Sequence, residues 1–103
     1  MFTIVTTEEY NKWFLTQTFK IKTLVKGRQL RIQDNGHFGD HKKINGEVSE
    51  LRWENGTRVY YSELPQNVIV ILLGGNKNGQ SKDITQAKKI YKKFIAKIDL
   101  SRY

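Results

Sequence analysis

Six consecutive aliphatic residues, Val68-Ile69-Val70-Ile71-Leu72-Leu73, constrain this chain more than any other feature. A strand sends alternate side chains to opposite faces, so a run without polar interruption needs apolar cover above and below. It is far shorter than the roughly 18 residues of a membrane-spanning helix. The run predicts a central strand, entered after the connection at Pro65 and followed by Gly74-Gly75, with Lys77 at its end. Asn78 or Ser81 then caps a long final helix, in which Ile84, Ala87, Tyr91, Phe94 and Ile98 form one apolar stripe. Ile90 and Ile95 widen that stripe. Lys82, Lys88, Lys89, Lys92, Lys93 and Lys97 take the remaining arc, as a solvated face or as a contact for an acidic partner or ribosomal RNA.

A hairpin precedes the run. Val48 to Trp53 and Thr57 to Ser62 are strand-like and are joined through Glu54-Asn55-Gly56, where Asn-Gly is a strong turn signal. A two-residue turn would set Arg52 opposite Val59 and mix charge with aliphatic carbon on both faces. A three-residue turn with Gly56 in the bulged, positive-φ place instead puts Ser49, Leu51, Val59 and Tyr61 on one face. Glu50, Arg52, Arg58 and Tyr60 then share the other. The second register is expected, because it yields one apolar and one polar, cationic face.

Upstream, Phe2 to Val5 reads as a strand, and Thr6-x-x-Glu9 has the spacing of a capping box at a helix start. Tyr10, Trp13 and Phe14 give that helix an aromatic stripe. A second helix carries Ile21, Leu24, Val25 and Ile32 on one side and Lys20, Lys22, Lys26, Arg28 and Arg31 largely elsewhere. It includes Gly27, at a cost of roughly 1 kcal/mol against Ala. The helix stops at Asp34-Asn35-Gly36, where glycine suits a left-handed closing residue. Residues 36–46 are polar and glycine-punctuated, a loop or a weak edge strand. The order β-α-α-β-β-β-α predicts an α+β domain, with two N-terminal helices and one C-terminal helix packed on an antiparallel sheet.

At 103 residues the chain fits one domain, residues 1–103, and an apolar fraction of 38% suffices for a core. Zero Cys removes thiol chemistry and disulfide scaffolds and suits a reducing cytoplasm. Two His give no metal cluster, so no metal or cofactor is expected. Met1-Phe2-Thr3-Ile4-Val5 breaks into Thr6-Thr7-Glu8-Glu9, which is no signal peptide, and no membrane partner is expected. A formal charge of +8 and a pI near 9.8 point to a polyanionic partner: RNA, DNA or an acidic protein. Gly74-Gly75-Asn76-Lys77-Asn78-Gly79 lacks the Gly-Lys-Ser/Thr ending of a phosphate loop, and no nucleophile elbow or paired catalytic carboxylates are visible.

The cationic sheet face is left as the candidate site. RNA can be cleaved without a metal if a protein assists removal of the 2′-hydroxyl proton, stabilises the phosphorane and protonates the leaving oxygen. Arg52, Arg58 and Lys77 suit the middle task as an anion clamp, and Tyr60 could stack on a base. The plainer alternative is a solvated face on which Glu50 pairs with an Arg. His37 and His41 stand in a loop, where surface residues are the commoner outcome.

The series Gly39-Asp40-His41-Lys42-Lys43, Ser49-Glu50-Leu51-Arg52, Thr57-Arg58-Val59-Tyr60 and Gly74-Gly75-Asn76-Lys77-x-x-Gln80-x-x-Asp83-Ile84 resembles the RelE/ParE toxin superfamily over nearly the whole chain. Within it, the pattern is most similar to the addiction module killer, or HigB-like, branch. The resemblance implies the toxin of a type II toxin–antitoxin pair, an endoribonuclease that cuts messenger RNA on the ribosome without a metal. It implies Arg52, Arg58 and Lys77 as catalytic or phosphate-binding residues, Tyr60 as a base contact, and Lys42 and Lys43 as RNA-backbone binders. Gln80 and Asp83 belong to the motif with a structural or a functional role. The implied partners are the ribosome, its message and an antitoxin with a helix-turn-helix segment, through which the complex would reach operator DNA. Other branches leave two alternatives: a non-enzymatic gyrase poison, and a toxin relic that only binds nucleic acid. One departure is the turn, Glu54-Asn55-Gly56-Thr57, where relatives carry a longer Gly-Pro-Gly-like segment. On this reading Arg58→Ala or Lys77→Ala removes activity and leaves the fold intact.

Overall fold

In the computed structural model, which describes residues 1–101, the aliphatic run lies in the strand Val68–Asn76 (β5). This strand sits between two neighbours in a five-stranded sheet of order β1-β5-β4-β3-β2. The other strands are Thr3–Thr6 (β1), His41–Asn45 (β2), Val48–Arg52 (β3) and Thr57–Leu64 (β4). Helices Glu8–Leu15 (α1) and Phe19–Asn35 (α2) follow β1, and a 3-10 turn at Lys77–Gly79 leads into Gln80–Ser101 (α3). The run is covered on both sides, as its composition demands. Ile69 and Ile71 join Tyr10, Val25, Leu51 and Tyr61 in one core layer, whereas Val70 and Leu72 meet Ala87 and Ile90 of α3 in the other.

The domain is α+β with the expected three helices, but its sheet is mixed. β1 pairs with β5 in parallel, Thr3 opposite Val68 through Thr6 opposite Ile71. A four-residue β-branched strand carries no signal of its direction. The cap of α1 also moves by one residue from the expected Thr6. Thr6 stays in the ladder, and the Thr7 hydroxyl accepts from the Tyr10 amide (3.1 Å) while donating to the Leu72 carbonyl (2.7 Å). At the other end of the chain, Asn76 rather than Asn78 or Ser81 caps the turn before α3, accepting from the Asn78 amide at 2.9 Å. Residues 36–46, expected as a loop or a weak edge strand, contain the edge strand β2, and α2 closes on Gly36 at φ +70°.

The hairpin adopts the three-residue turn. Ser49 faces Tyr61, Glu50 faces Tyr60, Leu51 faces Val59 and Arg52 faces Arg58. Gly56 has φ +95° and donates to the Trp53 carbonyl at 3.1 Å, and the Asn55 side chain accepts from the Thr57 amide at 2.9 Å. A Cβ on Gly56 would meet the Lys77 methylenes at 3.4–3.7 Å. Gly56→Ala is therefore expected to cost about 1–2 kcal/mol in urea unfolding, chiefly through the backbone conformation.

Candidate functional site

The register just described sets two arginines at facing positions. Arg52 and Arg58 lie directly opposite each other on β3 and β4, and Arg58 is also opposite Gly75 of β5. Like charges in facing positions repel, so something must hold them. Arg52 Nη2 donates to Asp40 Oδ1 at 3.2 Å and keeps 36% of its side chain exposed. Arg58 is 15% exposed; its Nη1 donates to the carbonyls of Trp53 (3.1 Å) and Thr57 (2.9 Å), and its Nε lies 3.9 Å from Glu50 Oε2. The fork of Arg58 is thus tied in place before any ligand arrives.

Glu50 is fully buried beneath the first turn of α3, where Gln80 Nε2 donates to its Oε2 at 2.5 Å. The Tyr60 hydroxyl is buried beside the same carboxylate, so Glu50, Tyr60, Gln80 and Arg58 form one polar cluster under α3. Burial, with the charges of Glu50 and Asp83 added, pushes the Tyr60 phenol far above its ordinary value. Burial also raises the Asp83 carboxyl, against the pull of Lys82. Asp83 rests over Gly75, in space that a Cβ there would fill.

Lys77 follows β5 at the hairpin tip. Its amide donates to the Gly56 carbonyl at 2.8 Å and its methylenes lie along Gly56, with the residue exposed. The tip therefore carries Arg52, Arg58 and Lys77 at one end of the sheet. The plainer reading is also partly met, because Glu50 lies beside Arg58.

The polar, cationic face is not exposed along its length, and the expected base contact at Tyr60 is corrected. α3 covers its inner half, and Tyr60 has no exposed surface, so in this conformation its ring cannot stack on a base. Lys42 and Lys43 are exposed on β2 but part company. Lys42 is opposite Glu50 and shares its face, whereas Lys43 is opposite Ser49 on the other. His37 is exposed, and the His41 ring packs near Phe38 (5.6 Å between centroids) with Nδ1 2.8 Å from the Gly39 carbonyl. Among the described residues no group of three or more His, Asp or Glu gathers as a metal site, and no helix is long and apolar enough to cross a membrane.

Two participants escaped the periodicity argument. Asp40 sits in the quoted motif without an assigned role, although it is the partner of Arg52. Arg28, placed on the polar arc of α2, instead donates to the carbonyls of Phe38 (3.1 Å), Asp40 (3.1 Å) and Arg52 (2.9 Å). Its guanidinium lies 4.1 Å above the Trp53 ring centroid. Helical spacing records that such a residue is polar, not that distant carbonyls lie within its reach.

No family model matches the chain. A protein of Haemophilus influenzae described as uncharacterised is 36% identical over 88 residues, which is 82% of this chain and 88% of that protein. The isolated Escherichia coli RelE toxin superposes with a TM-score of 0.64 at 11% identity, covering 84% of this chain and 98% of the toxin. A chain of the intact E. coli RelBE toxin–antitoxin complex gives 0.62 at 12% identity, covering 74% of this chain and 96% of that one. A chain of the RelBE2 toxin–antitoxin complex of Mycobacterium tuberculosis gives 0.54 at 16%, covering 73% and 96%. At these identities the three structures establish a shared fold.

Proposed function

The chain belongs to one family with the Haemophilus influenzae protein and has the RelE fold, and from that premise we propose that it is the toxin of a type II toxin–antitoxin pair, acting as a messenger RNA endoribonuclease on the ribosome. The observation that carries the reading is the facing pair Arg52 and Arg58 at the hairpin tip, with Lys77 beside the turn. In the proposed reaction a 2′-hydroxyl attacks the adjacent phosphorus, the P–O5′ bond breaks, and a 2′,3′-cyclic phosphate and a 5′-hydroxyl end result. The charge that develops on the non-bridging oxygens is met by the pre-oriented Arg58 fork, with Arg52 and Lys77 flanking it. A metal is not needed for that task. The antitoxin is a separate protein, acidic where it covers these cations.

Lys77 tests the reading, because it is exposed and its side chain meets the fold only through methylenes laid along Gly56. Lys77→Ala is expected to slow message cleavage about a hundredfold, the size of effect seen when one charge-stabilising donor is lost, with an unchanged circular dichroism spectrum. Primer extension on messages from arrested cells reads it. Ribosome-phased cuts by the wild type that fade in the variant support the proposal. DNA breaks with intact messages, or a fully toxic variant, overturn it.

A further inference from the structure

Gln80 opens α3 and reaches down to the buried Glu50, where its Nε2 donates to Oε2 of the carboxylate at 2.5 Å. We propose that Gln80 is a positioning residue: by fixing this carboxylate it sets the orientation in which the Arg58 guanidinium meets a phosphate, an inference that rests on the ribonuclease reading above.

A planar guanidinium held at one nitrogen can still pivot about it. Arg58 has such a hold at Nη1, which donates to the carbonyls of Trp53 (3.1 Å) and Thr57 (2.9 Å). A second point is needed to fix the plane, and Glu50 supplies it, with Oε2 3.9 Å from Nε. That oxygen is the one Gln80 holds. The separation is too long for a hydrogen bond, so Glu50 guides Arg58 through charge, and where that charge sits depends on how the carboxylate is turned. Its other neutral neighbour, the Tyr60 hydroxyl, comes from the same strand as Arg58, so Gln80 is the hold supplied from α3. A neutral donor suits the task. It orients Glu50 and leaves the negative charge for Arg58, whereas a cation at this position would pair with the carboxylate itself. Glu50 has no exposed surface, so in the folded chain bulk water does not take the place of the amide. The 3-10 turn Lys77–Gly79 runs directly into Gln80, and one short segment thus carries a flanking cation of the clamp and the residue that orients its central one.

The test uses the full chain on programmed ribosomes under single-turnover conditions. Gln80→Met keeps the length of the side chain and removes the donor, and a thermal melt verifies that the variant folds; if it does not, Gln80→Asn, which keeps the amide but shortens its reach, takes its place. The maximal cleavage rate is expected to fall about tenfold with the half-saturating concentration unchanged, because a misaligned charge costs the transition state more than the bound message. In an Arg58→Lys background, which has no planar fork to orient, the same change is expected to alter the rate less than about twofold. Arginine side-chain NMR gives a reading apart from cleavage. The Arg58 Nε–H signal, assigned by its loss in Arg58→Lys, is expected to be rigid in the wild type and mobile in the Gln80 variant. A full cleavage rate, a loss confined to half-saturation, an equal loss in both backgrounds, or an Arg58 signal as rigid as in the wild type overturns the proposal. Failure of the ribonuclease reading looks different: the wild type then cuts no message, and the Arg58 signal alone decides whether Gln80 positions it.

Discussion

Arg58→Ala is expected to slow message cleavage about a thousandfold, the upper end for loss of a charge-stabilising donor, and also to cost the fold about 3 kcal/mol. The second effect departs from the sequence reading, which treats the substitution as silent to folding. The reason is Glu50. It is fully buried, with Gln80 as its hydrogen-bond donor and the Arg58 guanidinium as its neighbouring cation. Removing the cation leaves a desolvated carboxylate with neutral partners only, which costs more than the pair contributes when intact. A double variant separates the two effects. Glu50→Gln with Arg58→Ala removes the stranded charge and is expected to regain most of the stability in urea unfolding while cleavage stays low. Arg58→Lys keeps a charge but loses the fork that donates to the Trp53 and Thr57 carbonyls, so activity is expected to fall between wild type and Arg58→Ala. If Arg58→Ala unfolds at the wild-type urea concentration, Arg58 does not compensate Glu50. If cleavage is unchanged, the clamp is not the catalytic site.

What the chain discloses before folding is local and periodic. Asn55-Gly56 sets the turn, parity then decides which side chains share a face, and the four cross-strand pairs of β3 and β4 follow from those two facts. The uninterrupted run of β5 demands two covered faces, and Gly36 ends α2. Parity cannot say what lies above a face. Glu50 and Tyr60 read as open and polar because nothing along the strand discloses that α3 starts over them, at Gln80. Long-range partners are hidden for the same reason. Arg28 and Arg52 stand 24 residues apart, and the hydrogen bond between them depends on how α2 lies against the sheet. The parallel setting of β1 is likewise a matter of topology.

Gly74→Ala is expected to destabilise the domain by about 3 kcal/mol, at the upper end for overpacking a core. Gly74 and Gly75 are adjacent in β5 with ordinary strand backbone, so the cost is one of space. A Cβ on Gly74 would press against Cε3, Cδ2 and Cζ3 of the Trp13 indole, well inside van der Waals contact. That ring cannot retreat cheaply. It belongs to α1, packs 5.8 Å from the Tyr10 ring, and is pressed against the core layer beneath α1 and α2. A Cβ on Gly75 faces the other layer and meets the Asp83 carboxyl, the end of a side chain that can swing away. Thermal melts should therefore show a large drop for Gly74→Ala and a small one for Gly75→Ala. Pairing Gly74→Ala with Trp13→Ala checks the cause, because the two changes should cost less together than the sum of each alone. Additive losses would place the clash elsewhere. Cleavage should report the reverse order among molecules that remain folded. Gly75 is the register partner of Arg58 and its Cβ would face the layer beneath α3, so Gly75→Ala adds bulk beside the clamp, whereas Gly74→Ala presses on Trp13 in the other layer.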